Sequence, residues 1–255
     1  MKPIKFPPFL YLFLVLVLTG VACGGISVNS TPTAAATATD APPEATATKT
    51  PRPTSTPRPS PTPNAAATQK AEDFNVLLSE YKEKGYVTTT TGEFFEPDPF
   101  QEDWAQLGWY QWWPFDFKAK DFVFSAHFDW SIASATPEIS GCGVIFGLQE
   151  NEDHYAVFLD TSRILFLMGR GTNVYNVGKT RGPGTVNFSN PAEADFVLSV
   201  KGQSAYVSVN DVVTEYTLSA DQTSAGTFAF SILSGTNKDY GTRCGMTDMI
   251  FWEPK

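Results

Sequence analysis

Alternation of apolar and polar side chains begins abruptly at residue 121. In "DFVFSAHFDW", Phe122, Phe124, Ala126, Phe128 and Trp130 fall on one face of an extended chain, while Val123, Ser125, His127 and Asp129 fall on the other. A period of two marks a strand with one buried face, so the phenylalanine face is the predicted core face. Further strand-like runs follow at "CGVIFGLQ", "HYAVFLD", "RILFLMG", "DFVLSVKG", "SAYVSVN", "GTFAFSIL" and "MTDMIFW", separated by glycine, asparagine and aspartate turn signals. Ahead of them the period changes. Over residues 65–84, Phe74, Leu77, Leu78 and Tyr81 recur at helical spacing and Gly85 supplies a stop, which predicts one helix whose stripe docks on the strands. One helix followed by many short strands predicts a mainly β fold, a sandwich or jelly roll.

The first two dozen residues follow a different logic. Lys2 and Lys5 precede an apolar run from Phe9 to Leu18, and small residues follow, the layout of an export leader. The run is about ten residues, against about twenty for a bilayer-spanning helix. Gly20, Val21 and Ala22 lead into Cys23 and two glycines, a stretch that resembles a bacterial lipobox, with Gly20 where leucine is usual. The resemblance implies removal of residues 1–22 and lipidation of Cys23 as the new N-terminus, with the protein held on the outer face of the cell membrane. The alternative is an ordinary leader whose cysteine is incidental. Residues 23–68 are rich in threonine, alanine and proline, with TPRP at Thr50–Pro53 and again at Thr56–Pro59. Such a composition cannot build a core. It predicts a disordered tether that samples extended polyproline II at about 3.1 Å per residue, with a proline-rich recognition motif or a glycosylated stalk as alternatives.

Residues 69–255 are sufficient for one sizeable domain. The whole chain carries 18 basic and 27 acidic residues; with the five basic and two acidic residues before Gln69 set aside, 13 face 25, a net of −12. Such a surface repels phosphate backbones and argues against a nucleic-acid partner. Cys142 and Cys244 lie in this portion, and in an oxidising compartment two thiols are expected to pair, joining a middle strand to the last one. Zinc is disfavoured because there is no CxxC pair and His127 and His154 are isolated in sequence.

The order "GCGVIFGLQENEDHYAVFLD", "ILFLM", "ADFVLSVKGQSAYVSVNDVV", "GTFAFSIL" and "MTDMIFW" resembles the concanavalin A-like sandwiches, especially laminin G-like and 3-keto-disaccharide hydrolase-type domains, over roughly Asp121 to Trp252. The resemblance implies a jelly-roll sandwich. It also raises calcium, which laminin G-like domains often hold with loop carboxylates; Asp153, Asp160 and Asp239 are candidates, but no EF-hand loop is present and no ligands are assigned. Sandwich glucanases carry a strand of the form E-x-D-x-x-E, which presents paired carboxylates, and this chain has none. GxSxG and HExxH are also missing, and the cluster Glu150, Asn151, Glu152 and Asp153 reads as a solvated turn.

Binding has better material in "WAQLGWYQWWPFDF". Trp109 and Trp113 share one strand face there, and Tyr110 and Trp112 share the other. Indole and phenol rings stack on the apolar faces of sugars, although one face of this strand must also serve the core. His127 and Asp129 share a face and form a second polar candidate, and Asn237, Asp239 and Tyr240 form a third, in the loop before Cys244. The expectation is a lipid-anchored, surface-displayed, non-catalytic module for carbohydrate, without a cofactor unless calcium serves. The alternatives are a glycan-processing hydrolase of the 3-keto-disaccharide type and a protein-adhesion module.

Overall fold

The alternating runs pair into two antiparallel sheets that face each other. The computed structural model describes residues 65–135, 139–160, 163–178 and 189–255, with side chains from Gln69 onward, all within the compact unit Ser60–Lys255. The leader, Cys23 and the tether lie outside the described residues. After helix α1 (Ala65–Glu83) come β1 (Gly92–Phe95), β2 (Phe100–Trp104), β3 (Trp109–Ala119), β4 (Phe122–Ile132), β5 (Gly141–Leu148), β6 (His154–Leu159) and β7 (Ile164–Arg170). They are followed by β8 (Asn173–Asn176), β9 (Ala192–Lys201), β10 (Ser204–Val209), β11 (Val212–Thr217), β12 (Gly226–Ser234) and β13 (Thr242–Pro254). One sheet has the order β1-β13-β4-β9-β10-β11, with β2 also on β13; the other has the order β3-β12-β5-β6-β7-β8. The fold is thus a mainly β sandwich with one α-helix among the described residues, as the alternation predicts.

Side chains that alternate inward from both sheets make the core. Phe122 and Phe124 of β4 meet Phe228 of β12, Phe128 stacks on Phe196 of β9, and Phe251 of β13 packs within 4.4 to 4.6 Å of Phe117, Phe124 and Phe228. The outer face of β4 is not simply solvated. Phe74, Leu78 and Tyr81 of α1 cover Val123, Ile250 and Trp252, so the helical stripe docks on the back of the first sheet.

Cys142 of β5 and Cys244 of β13 form a disulfide with Cα atoms 5.3 Å apart, tying one sheet to the other through the core. The runs around "GTRCGMTDM" and "MTDMIFW" join into one strand, β13. Its register shifts between Thr247 and Ile250, where Asp248 takes φ 52° in a bulge. The hairpin between β10 and β11 turns on Asn210 and Asp211, both at positive φ (46° and 66°), the geometry that asparagine and aspartate tolerate in a two-residue hairpin. Pro114 interrupts the donor row of β3, which sits at a sheet edge and pairs with β12 alone, where proline is accommodated.

Candidate functional site

Register decides which aromatic rings of β3 face the core. Trp113 lies opposite Phe230, an inward residue, and Trp112 and Tyr110 lie opposite Ser231 and Leu233. Trp113 therefore packs against the main core, edge-on to Phe100 at 5.4 Å. Tyr110 and Trp112 instead lie across the outer face of the second sheet, on Ile145, Ala156 and Phe158. Gly143 on β5 lets the floor beneath them close up: a Cβ there would run into the Val157 carbonyl and the Phe158 ring, and that ring sits 5.4 Å from the Tyr110 ring.

This layout carries Tyr110 diagonally to the start of β6. The Tyr110 O–H donates to His154 Nε2 at 2.8 Å, and the Trp112 ring lies 5.5 Å from the imidazole. On its other side His154 Nδ1–H donates to the carbonyl of Glu152 at 2.6 Å. A carbonyl can only accept, so the proton sits on Nδ1 and the lone pair on Nε2 faces the phenol. Burial holds the His154 pKa below its ordinary value of 6.5, although nearby Glu152 and Asp153 act the other way. Burial likewise pushes the Tyr110 phenol up to about 12. Both groups are neutral near pH 7, and both imidazole nitrogens are engaged. Gly169 on β7 packs against the ring, since a Cβ at that position would collide with the imidazole. Gln222 fixes the strand ends by donating to the carbonyls of His154 at 3.0 Å and Gly169 at 3.2 Å.

Above this floor is a cleft of about 360 Å³. Trp109, 63% exposed, stands on its rim with Thr172 and Val174, while Tyr110, Trp112 and His154 line it together with Glu152. An exposed indole beside buried, hydrogen-bonded polar groups offers a flat apolar surface next to fixed donors and acceptors. That combination suits a ring carrying hydroxyls on its edge and C–H groups on its face. Among the described lining residues Glu152 is the one carboxylate.

The structure separates the other sequence candidates from this cleft. His127 sits on the outer face of the first sheet, and its Nδ1 pairs with Asp195 Oδ1 at 2.8 Å rather than with Asp129. The reason is register: Asp195 of β9 lies directly opposite His127, closer than a neighbour two residues along the same strand. Asp195 raises the His127 pKa above 6.5, against the opposing effect of desolvation. Asp129 leans instead over Gly245, filling the space a Cβ would occupy. Asn237 and Asp239 are exposed in the loop between β12 and β13, and the Tyr240 ring lies 4.6 Å from the Arg243 guanidinium; none of the three lines the cleft.

The carboxylates raised for calcium are apart. Asp153 accepts from the backbone N–H of Gly171 at 2.9 Å, buried Asp160 pairs with Arg163 at 2.7 Å, and Asp239 forms a turn at φ 46°. Among the described residues no group of three or more His, Cys, Asp or Glu side chains is gathered to hold an ion. His154, isolated in the sequence, is the residue that sequence reasoning missed. Its signal was present in "HYAVFLD", whose alternation sets His154, Ala156 and Phe158 on one face.

No protein-family model matches the chain, and no curated protein matches it. Among solved structures, a carbohydrate binding module from Bacillus subtilis is similar at 9% identity and a TM-score of 0.45, covering 61% of this chain and 92% of that one. A beta-fructofuranosidase of Aspergillus kawachii is similar at 14% identity and a TM-score of 0.42, over 64% of this chain and 27% of the enzyme. A beta-glucanase of Bacillus licheniformis is similar at 8% identity and a TM-score of 0.37, over 55% of this chain and 69% of that one. Identities and scores this low leave the chemistry of the cleft to be read from its own residues.

Proposed function

We propose that the protein is a lipid-anchored, surface-displayed module that binds carbohydrate without transforming it. The observation that carries this reading is the 63% exposed Trp109 on the rim of a cleft floored by Tyr110, Trp112 and His154. A sugar stacked on the indole places its hydroxyls within reach of groups whose orientation is already fixed, so little ordering opposes binding. The Tyr110 oxygen donates its proton to His154 and keeps lone pairs to accept from a sugar hydroxyl.

Binding is favoured over hydrolysis by the site's donors. Most glycosidases place two carboxyl groups across the scissile bond, whereas one carboxylate is found among the described residues lining this cleft. His154 is no substitute as a base, because both ring nitrogens are already engaged. Protein adhesion is the second reading, favoured by Val174 and Tyr175, 52% and 48% exposed on β8 beside the cleft. In the proposal Cys23 bears the lipid, residues 23–68 form the tether, and no metal is required. The apolar leader, the small residues before Cys23 and the proline-rich composition support that arrangement.

Two experiments test the reading. A glycan array probed with the mature protein is expected to give discrete neutral-sugar signals that disappear with Trp109→Ala; a blank array, with capture of a surface protein instead, favours adhesion. Cys23→Ser is expected to release the protein from the membrane fraction into the medium, and continued retention contradicts the lipid anchor.

A further inference from the structure

A second cleft, larger and more polar, lies against the first. Its volume is about 650 Å³, and its walls are Pro114 and Lys118 of β3, the turn after β5, and residues 221–222 and 224–227. Three connections join the two. Outward positions on β3 lead from one to the other, since Tyr110 and Trp112 line the aromatic cleft and Pro114 and Lys118 line the polar one. Leu148, a wall of the polar cleft, packs in the same apolar layer as Tyr110 and Trp112, which puts both clefts on one face of the sandwich. The turn between β5 and β6 is a shared partition, with Glu152 facing the aromatic side and Glu150, Asn151 and Asp153 facing the polar side. Gln222 reinforces that partition, because it lines the polar cleft while holding the carbonyls of His154 and Gly169.

From these observations we infer that the ligand is an extended neutral oligosaccharide, one end stacked in the aromatic cleft and the rest laid along β3 into the polar cleft. This rests on the carbohydrate reading given above. Tyr110 and Lys118 lie opposite Leu233 and Thr227, six residues apart on β12 because β3 bulges between Phe115 and Lys118, a span of roughly 20 Å at about 3.3 Å per residue and several times the width of one sugar ring. The polar cleft supplies what a chain of hydroxyls needs. Gln149 and Asn151 bring amides, Ser224 and Thr227 bring hydroxyls, and no large apolar ring stands among its described lining residues.

Charge selects against acidic sugars. Lys118 is the one cation among the described lining residues, which also include Glu150, Asp153 and Asp221; Arg170, which is not among those lining residues, is committed to Asp221 at 2.5 Å. A uronic-acid polymer would meet a net negative wall.

Isothermal titration with β-gluco- and fructo-oligosaccharide dimers, tetramers and hexamers, and with a hexameric uronate, tests the inference. For the class that binds, the hexamer is expected to bind about tenfold more tightly than the dimer, equivalent to about 1.4 kcal/mol. Ser224→Trp, at an exposed position, fills the polar cleft and should remove that gain while leaving dimer affinity unchanged. Lys118→Ala, a milder change, is expected to weaken hexamer binding alone. Equal affinity for dimer and hexamer, or a hexamer indifferent to Ser224→Trp, overturns the extended site while loss of all binding in Trp109→Ala still upholds the aromatic one. Tighter binding of the uronate overturns the assignment to neutral chains. If no oligomer of any class binds, the carbohydrate reading itself fails and the inference falls with it.

Discussion

Removing the inter-sheet bridge by changing Cys142 and Cys244 together to alanine has a calculable cost. The two cysteines are 102 residues apart in sequence, and both are fully buried between the sheets. In the chain-entropy account, a cross-link closing about 100 residues withdraws about 4.7 kcal/mol of conformational freedom from the unfolded chain. For a domain of this size each kcal/mol moves the melting temperature by about 2–4 °C, so a fall of roughly 10–20 °C is expected. Differential scanning calorimetry of the protein and the double variant measures it. Because both sulfurs are enclosed, mild reductant should leave the folded protein bridged and act only as it opens. A fall below about 3 °C would contradict a large entropic contribution from the cross-link, since that is little more than one kcal/mol on the same scale. The sheets would then be held together by their phenylalanine layer, with little help from the cross-link.

Three further expectations follow from the cleft and from the two histidines. Tyr110→Phe leaves the His154 Nε2 acceptor buried without a donor, which costs about 1–3 kcal/mol and should lower the melting temperature by roughly 2–12 °C; an unchanged melt contradicts the assigned hydrogen bond. Because burial depresses the His154 pKa, its stabilising contribution is complete above the ordinary 6.5 and is lost as pH falls through the lowered value. Asp195 raises that of His127, whose contribution is complete below 6.5 and is lost as pH rises through the raised value. Urea midpoints between about pH 5 and 8 should therefore pass through a maximum near 6.5. His127→Gln should remove the alkaline decline and leave the acid one, and identical profiles in the two proteins contradict the opposed shifts.

The sandwich was legible because one buried face per strand imposes a period of two. "DFVFSAHFDW" shows it directly, with Phe122, Phe124 and Phe128 all in the core. The disulfide was legible from the two cysteines of the domain together with the expectation of an oxidising compartment. What depends on register was not. His127 faces Asp195 across two strands distant in sequence, and no reading along one strand could prefer it to Asp129. His154 enters the aromatic cleft because Tyr110 of β3 reaches across the face of the sheet to the start of β6, a contact between residues 44 apart in the chain. The short strands β1, β2 and β8 were invisible for a related reason. They are mostly exposed edge pieces of four or five residues, formed against partners far along the chain or across a tight turn, and they carry no alternation of their own.

In the proposed function sugar binds on the rim tryptophan Trp109 and not on its core-facing neighbour Trp113. Isothermal titration of the strongest array sugar into the wild type, Trp109→Ala and Trp113→Phe separates the two rings. At least about a tenfold loss of affinity, about 1.4 kcal/mol, is expected for Trp109→Ala. Trp113→Phe should lower the melting temperature and leave affinity within about twofold, because that ring packs under Phe100 in the core. Unchanged binding in Trp109→Ala, or its loss in a folded Trp113→Phe protein, would contradict the account.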